Sequence, residues 1–368
     1  MLPYNYNRKL GYYQLGNDEY EYAMEAIMAS REDQHVKFKF NNDFFSQVNW
    51  TVEPSETLPE LYAQRARQLR ERYDHLVLSY SGGSDSWTIL NTFLTNGIKL
   101  DEITSYGPRE ATKSFRIDPT NFDYENAWQE YKLVLEKDLQ YLATHHPNIK
   151  ISFSDWSQDT NNIKLKDGWQ HTQSTILSGN PSNKFYAPNL TDSVDRFKNI
   201  GWVLGIEKPR VCYRDGRYYM FFLDYVSHYV NDRESQRGHY WTPEFFYWAP
   251  ESERILRKQA HTIKRFYQQN PQLLPYIYWP PSNPKYGQLY ESIIKPIIYP
   301  NYDLTKYQAN KPLSNEYYMG WDTVLWHHNP QLREHWIGGV KEALNAVDKK
   351  YINSNYKISG FVSDFYEI

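Results

Sequence analysis

Apolar positions along residues 58–73 recur at helical spacing: Leu58, Leu61, Tyr62, Ala66, Leu69 and Tyr73 share one face and predict an amphipathic helix. Thr57 and Glu60 stand at capping-box spacing at its start. The period then changes. HLVLSY (75–80) is a short continuous apolar run of the kind carried by a buried strand. From Asp85 to Asn96 the helical period returns, with Trp87, Leu90, Phe93 and Leu94 in phase and Asn96-Gly97 as a stop signal. IKLDEITSYG (98–107) contains the next strand. Residues 123–144 predict another helix through Trp128, Tyr131, Leu135, Leu139 and Leu142, and NIKISFSDW (148–156) a third strand.

Helix and strand alternating from 58 to 156 predict an α/β protein, a parallel sheet flanked by crossover helices. EYEYAMEAIMAS (19–30) reads as a short amphipathic helix, which makes the N-terminal extension helical. Residues 157–200, rich in Asn, Ser, Asp and Thr, read as a long loop with room for one helix. GWVLGIEKPRV (201–211) predicts a fourth strand, and Asp215-Gly216 between aromatic runs predicts a hairpin. Further on, 251–267 and 330–350 read as helices, while 270–315 is rich in Pro, Tyr and Asn and the C-terminal region looks mixed. The expected division is an extension over 1–57, a sheet domain over 58–230 and a substrate or partner region over 231–368.

Composition narrows the class. The chain has 368 residues and a formal net charge of −3, so no general field for polyanions is expected. Mean hydropathy is −0.79 and no apolar run approaches membrane-spanning length, so no membrane partner is expected. The N-terminal residues lack the apolar core of a signal peptide, and Cys212 stands alone, which excludes an internal disulfide and a Cys-based zinc cage. A cytoplasmic protein is the expectation. The 34 tyrosines and 12 tryptophans can serve as base-stacking platforms or, more commonly, as half-buried packing.

Candidate chemistry concentrates in SYSGGSDS, residues 79–86. A glycine-rich turn from strand into helix presents consecutive N–H groups at the positive end of a helix dipole, which suits a phosphate. Gly82 and Gly83 allow close approach of the anion. Ser81, Ser84 and Ser86 carry hydroxyls that can donate to its oxygens. Asp85 suits either a helix start or a Mg²⁺ held beside phosphates. The Walker spacing GxxxxGK[ST] is absent here.

SGGSDS, directly after an apolar strand and opening a helix, resembles the SGGxDS loop of the PP-loop ATP pyrophosphatases, members of the adenine nucleotide α-hydrolase-like superfamily. Ser81, Gly82, Gly83, Asp85 and Ser86 match its fixed positions. The resemblance implies a HUP-like parallel sheet, Mg²⁺-ATP as cofactor, the loop around the β- and γ-phosphates, and transfer of AMP to an acceptor with loss of pyrophosphate. It also implies adenine near the ends of the first two strands, by Leu78, Ser79 and Tyr80 and by Thr104, Ser105 and Tyr106. It is sharp over residues 75–106 only. The segment GIEKPRV (205–211) and the hairpin after it resemble PP-loop proteins encoded by tailed bacteriophages.

At the carboxyl end of a strand, Lys208 and Arg210 would neutralise phosphate and Glu207 would orient a nucleophile or metal; an ordinary solvated turn is an equal reading. In the helix 251–267, Arg254, Arg257, Lys258, His261, Lys264 and Arg265 form a basic stripe that could meet nucleic acid or could be a solvated face. The pairs His145-His146 and His327-His328 lack partner ligands at metal spacing. Family members that use catalytic or zinc-binding cysteines are disfavoured by the lone Cys212. Within the resemblance there remain an adenylating enzyme for amide or amine ligation, one that modifies a tRNA or DNA base, and a nucleotide-binding module without turnover.

Overall fold

The computed structural model describes residues 8–21, 23–118, 124–155, 157, 199–206, 208–224, 241–280, 286–303, 330–351 and 361–368. Glu207, His327-His328 and nearly all of the polar stretch 157–200 lie outside the described residues. The N-terminal part corrects the expectation of a helical extension. It is a three-stranded antiparallel sheet, order β2-β1-β3, built from β1 (Tyr12–Leu15), β2 (Asp18–Tyr20) and β3 (Lys37–Lys39), with α1 (Ala23–Ala29) and the short α2 (Asn42–Phe45) beside it. The strands are too short for alternation to stand out, and the helical period of Met24 and Ile27 belongs only to α1. The turn between β1 and β2 uses Gly16 at φ 60°, a left-handed conformation that glycine adopts without strain.

From residue 58 the expected alternation holds. α3 (Leu58–Arg72) leads to β4 (His75–Ser79), α4 (Ser84–Thr95) and β5 (Glu102–Gly107). A helical stretch follows, with a π turn at Tyr131–Leu135 continuing into α5 (Glu136–His145), and then β6 (Lys150–Asp155). β7 (Ile200–Leu204) is followed by the antiparallel hairpin β8 (Arg210–Arg214) and β9 (Arg217–Phe221), turned at Asp215 and Gly216, both at positive φ. β10 (Trp241–Phe245) precedes α6 (Glu253–Gln269), α7 (Tyr286–Ile298), α8 (Pro330–Ala346) and β11 (Tyr366–Glu367), which pairs with β9.

The central sheet is parallel, in the order β10-β7-β4-β5-β6. β4 is buried at all five residues because strands flank it on both sides and helices cover its faces. β10 sits at an edge, the place where Pro243 costs no ladder hydrogen bond, and that proline hides the strand from sequence patterning. On β7, Gly201 faces the ring of Tyr73 so closely that an added Cβ would lie 2.5 Å from Cδ2.

Two devices join the layers. Glu244 on β10 accepts from Arg65 at 2.9 Å, Arg72 at 2.8 Å and the Tyr73 hydroxyl at 2.5 Å, which fastens α3 to the sheet edge. Phe40, Phe45, Phe222 and Trp248 form a buried ring cluster, with Phe40 and Phe222 centroids 4.8 Å apart, joining the N-terminal sheet to the hairpin. Many of the abundant aromatics are thus core. Among the described residues no helix is long and apolar enough to cross a membrane.

The capping box expected at 57–60 is present: the Thr57 Oγ accepts from the Glu60 amide and the Glu60 carboxylate accepts from the Thr57 amide at 2.8 Å. Thr57→Ala therefore lowers unfolding free energy by about 1 kcal/mol, read from the urea midpoint at unchanged slope.

Candidate functional site

The sheet order reverses at β4: the chain leaves it toward β5 on one side and later returns as β7 on the other. Such a reversal opens a crevice at the carboxyl ends of the strands, where open α/β sheets bind ligands. The 80–86 turn lies there. Gly82 has φ 77°, and an added Cβ would lie 2.9 Å from the Cβ of Leu135 in the π turn, so both conformation and space require glycine. Gly83 starts α4 with extended backbone and no side-chain cap, leaving that N-terminus without a built-in acceptor from its cap residue.

Serines brace the turn. The Gly83 amide donates to Ser81 Oγ at 3.2 Å, Ser86 Oγ donates to the Gly83 carbonyl at 3.1 Å, and the two hydroxyls stand 3.2 Å apart. Ser84 Oγ is buried with no hydrogen-bond partner among the described residues. Gly205, just beyond β7, comes so close that an added Cβ would be 3.2 Å from the Ser86 nitrogen. The end of β7 therefore presses on the start of α4.

Asp85 is the electrostatic centre. Lys208 Nζ is 3.0 Å from Oδ1, Lys295 Nζ is 3.8 Å from Oδ2, and the Tyr299 hydroxyl donates to Oδ1. Burial favours the neutral acid, but Lys208, Lys295 and Tyr299 together outweigh it and hold the carboxyl below the usual aspartate range. Burial first, and then the nearby Asp85 charge, push the Tyr299 hydroxyl well above its usual range, so it stays a neutral donor. The Tyr247 hydroxyl donates to the Asp85 carbonyl at 3.0 Å.

Glu291 extends the cluster. Its carboxylate receives Arg210 at 2.7 Å and lies 3.8 Å from Lys208 and 3.7 Å from Lys295. Burial opposes its charge; Lys208, Arg210 and Lys295 overcome that and place its carboxyl far below the usual glutamate range. Tyr290 stitches this helix to the 208–211 segment, accepting from the Val211 amide at 2.9 Å and donating to the Pro209 carbonyl at 2.7 Å. Glu130, just before the π turn, brings a third carboxylate: an added Cβ on Gly83 would be 3.4 Å from its Oε2, and its charge also favours protonated Lys295.

The two segments singled out in sequence, 81–86 and 208–210, thus meet in space. Lys208 and Arg210 are buried at the loop. Glu291, Lys295 and Tyr299 were missed, because prolines in 270–315 masked a helix; the signal was there in Tyr290, Ile294 and Ile298 at i, i+4, i+8 and in the i, i+4 pair Glu291 and Lys295. Of the residues expected near a base, Ser79 and Ser105 are buried, and Ser105 Oγ donates to the Tyr80 carbonyl at 2.7 Å. Tyr106 is half-buried, its hydroxyl pushed by burial to about 12.

Much of the basic face of α6 is paired with neighbouring carboxylates and carbonyls, while Arg254 and Arg265 stay exposed at 47 and 46%. Lys258 pairs with Glu53 at 2.8 Å, Arg265 also meets Glu53, Arg254 meets Glu56, and Arg257 pairs with Glu253 at 2.7 Å. His261 contacts the Trp50 carbonyl at 2.9 Å and Lys264 donates to the Ile368 carbonyl at 2.6 Å. Cys212 is buried in β8, its thiol raised by burial to about 12. His145 stacks on Tyr141 and contacts its carbonyl at 2.9 Å. No group of three or more His, Cys, Asp or Glu suited to a metal occurs among the described residues.

Lys208→Met, which leaves two half-buried carboxylates short of a cation, costs about 2 kcal/mol of stability at neutral pH by denaturant unfolding. Depressed carboxyls stabilise the fold above their unfolded values and lose that stabilisation as pH falls through the folded ones. The variant, with less depressed carboxyls, therefore loses stability less steeply between about pH 4 and pH 2.

Comparison of the chain with protein-family models, with curated proteins and with solved structures gives no match in any of the three.

Proposed function

We propose that the 81–86 turn binds the phosphates of ATP and that the protein cleaves the α–β bond, adenylating an acceptor on a HUP-like scaffold. The observation that carries this reading is the contact at 3.0 Å between Lys208 and Asp85, which joins a phosphate-type turn to a basic strand end 123 residues away. It supports a site in which an uncapped helix N-terminus, a glycine turn and several cations face one crevice. In the step proposed, a nucleophilic oxygen of the acceptor forms a bond to the α-phosphorus. The bond from that phosphorus to the bridging oxygen breaks, and its electron pair leaves with pyrophosphate. Ser81 and Ser86 hydroxyls and α4 amides orient the phosphates, while Lys208 and Arg210 balance charge on the leaving group.

Mg²⁺ fits this donor set only together with nucleotide. Such ions are commonly held by one or two carboxylates plus substrate phosphates, and Asp85 is an ionised carboxylate at the loop. When bound, Mg²⁺ would supply further neutralisation of the phosphate oxygens. One observation favours a second reading, a nucleotide-binding module without turnover: Asp85 already has two ammonium partners and a tyrosine donor, as a structural carboxylate would.

The test is product analysis with Mg²⁺ and ATP labelled at the α-phosphate, cell extract supplying acceptors. The expected products are labelled AMP or an adenylated compound, with pyrophosphate, reduced at least about 100-fold in Asp85→Asn. Labelled ADP would overturn the reading, and nucleotide binding without any cleavage would favour the module.

A further inference from the structure

Resting on the reading that the crevice takes nucleotide phosphates, a further feature concerns the carboxylate that its cations share. Lys208, Arg210 and Lys295 converge on the Glu291 carboxylate at 3.8, 2.7 and 3.7 Å. These cations come from two segments, and their side chains are only 4, 11 and 19% exposed. Three largely desolvated cations around one carboxylate form the arrangement that recognises a multiply charged oxyanion. Glu291 is the most exposed of the four, at 34%, so it is the member that can swing outward into water. With Asp85 and Glu130 included, three cations face three carboxylates, and a pyrophosphate entering such a balanced cluster must replace an anion already there.

We propose that Lys208, Arg210 and Lys295 are the pyrophosphate-binding cations and that Glu291 is their resting counter-ion, displaced when the polyphosphate enters. Glu291 then competes with the ligand, and it holds the cations in place when none is bound. Arg210 is the pivot of the exchange. Its guanidinium lies 5.3 Å from the Tyr290 ring centroid, a contact that keeps it oriented after the carboxylate leaves.

The experiment is calorimetric titration with inorganic pyrophosphate at constant Mg²⁺, which needs neither adenine recognition nor turnover. Glu291→Gln, similar in shape but neutral, is expected to bind about tenfold more tightly than wild type, and Lys295→Gln about tenfold more weakly. Glu291→Asp, which keeps the charge but shortens its reach to Arg210, is expected to fall between wild type and Glu291→Gln and serves if the neutral variant does not fold. Equal or weaker binding by both Glu291 variants would overturn the proposal, because Glu291 would then be supporting the ligand or the cations. Tighter binding without ATP cleavage would leave this proposal standing while the adenylation reading fails. No pyrophosphate binding by any variant would remove the phosphate site from both.

Discussion

A carboxylate that is only 22% exposed cannot remain ionised without opposite charge and hydrogen-bond donors close by, and the site is organised by that requirement at Asp85. The chain meets it from two distant places, with Lys208 beyond β7 and with Lys295 and Tyr299 on and just after α7. These bonds hold the carboxyl end of the sheet and α7 against the start of α4. Residues on both sides of position 230 therefore share one site, and β10 completes the sheet that β4 begins. Removing any one partner leaves the others with a charge they must carry alone, so the cluster behaves as a unit.

Backbone geometry makes room for this arrangement. Gly82 turns through a left-handed conformation against Leu135, and Gly205 lets β7 close on the Ser86 amide. The π turn at Tyr131–Leu135 lies where the helix meets the glycine turn and brings Glu130 over Gly83. Extra residues in a helical turn are frequent beside functional sites, because they re-aim side chains without ending the helix. Ser105 Oγ, donating to the Tyr80 carbonyl, ties the end of β4 to β5.

Charge in the crevice is balanced rather than bare. A site of unpaired lysines would attract any polyanion, and it would also repel itself and destabilise the fold. Here each cation has an internal carboxylate, so under the proposed reading an anion would enter only by replacing that partner. The same logic separates this cluster from the basic face of α6, where Glu53, Glu56 and Glu253 are the partners and the contacts fix the 49–56 segment to the helix.

Local patterning determined much of the fold: the period of 58–73 with its Thr57 cap, the buried run at 75–80, the helix stop at Asn96-Gly97 and the Asp215-Gly216 hairpin are all legible because short-range sterics and hydrogen bonding decide them. The turn from β4 into α4 was legible too, since glycines and serines at fixed spacing need no distant partner to be noticed. Strand order, the N-terminal sheet and β10 were not, because three to five residues carry too little periodicity, and Pro243 reads as a break until an edge position accommodates it. Nor could the sequence bring Glu291, Lys295 and Tyr299 to Asp85 across separations of more than 200 residues. Long-range ion pairing depends on which surfaces meet after the core has packed, and only the tertiary structure decides that.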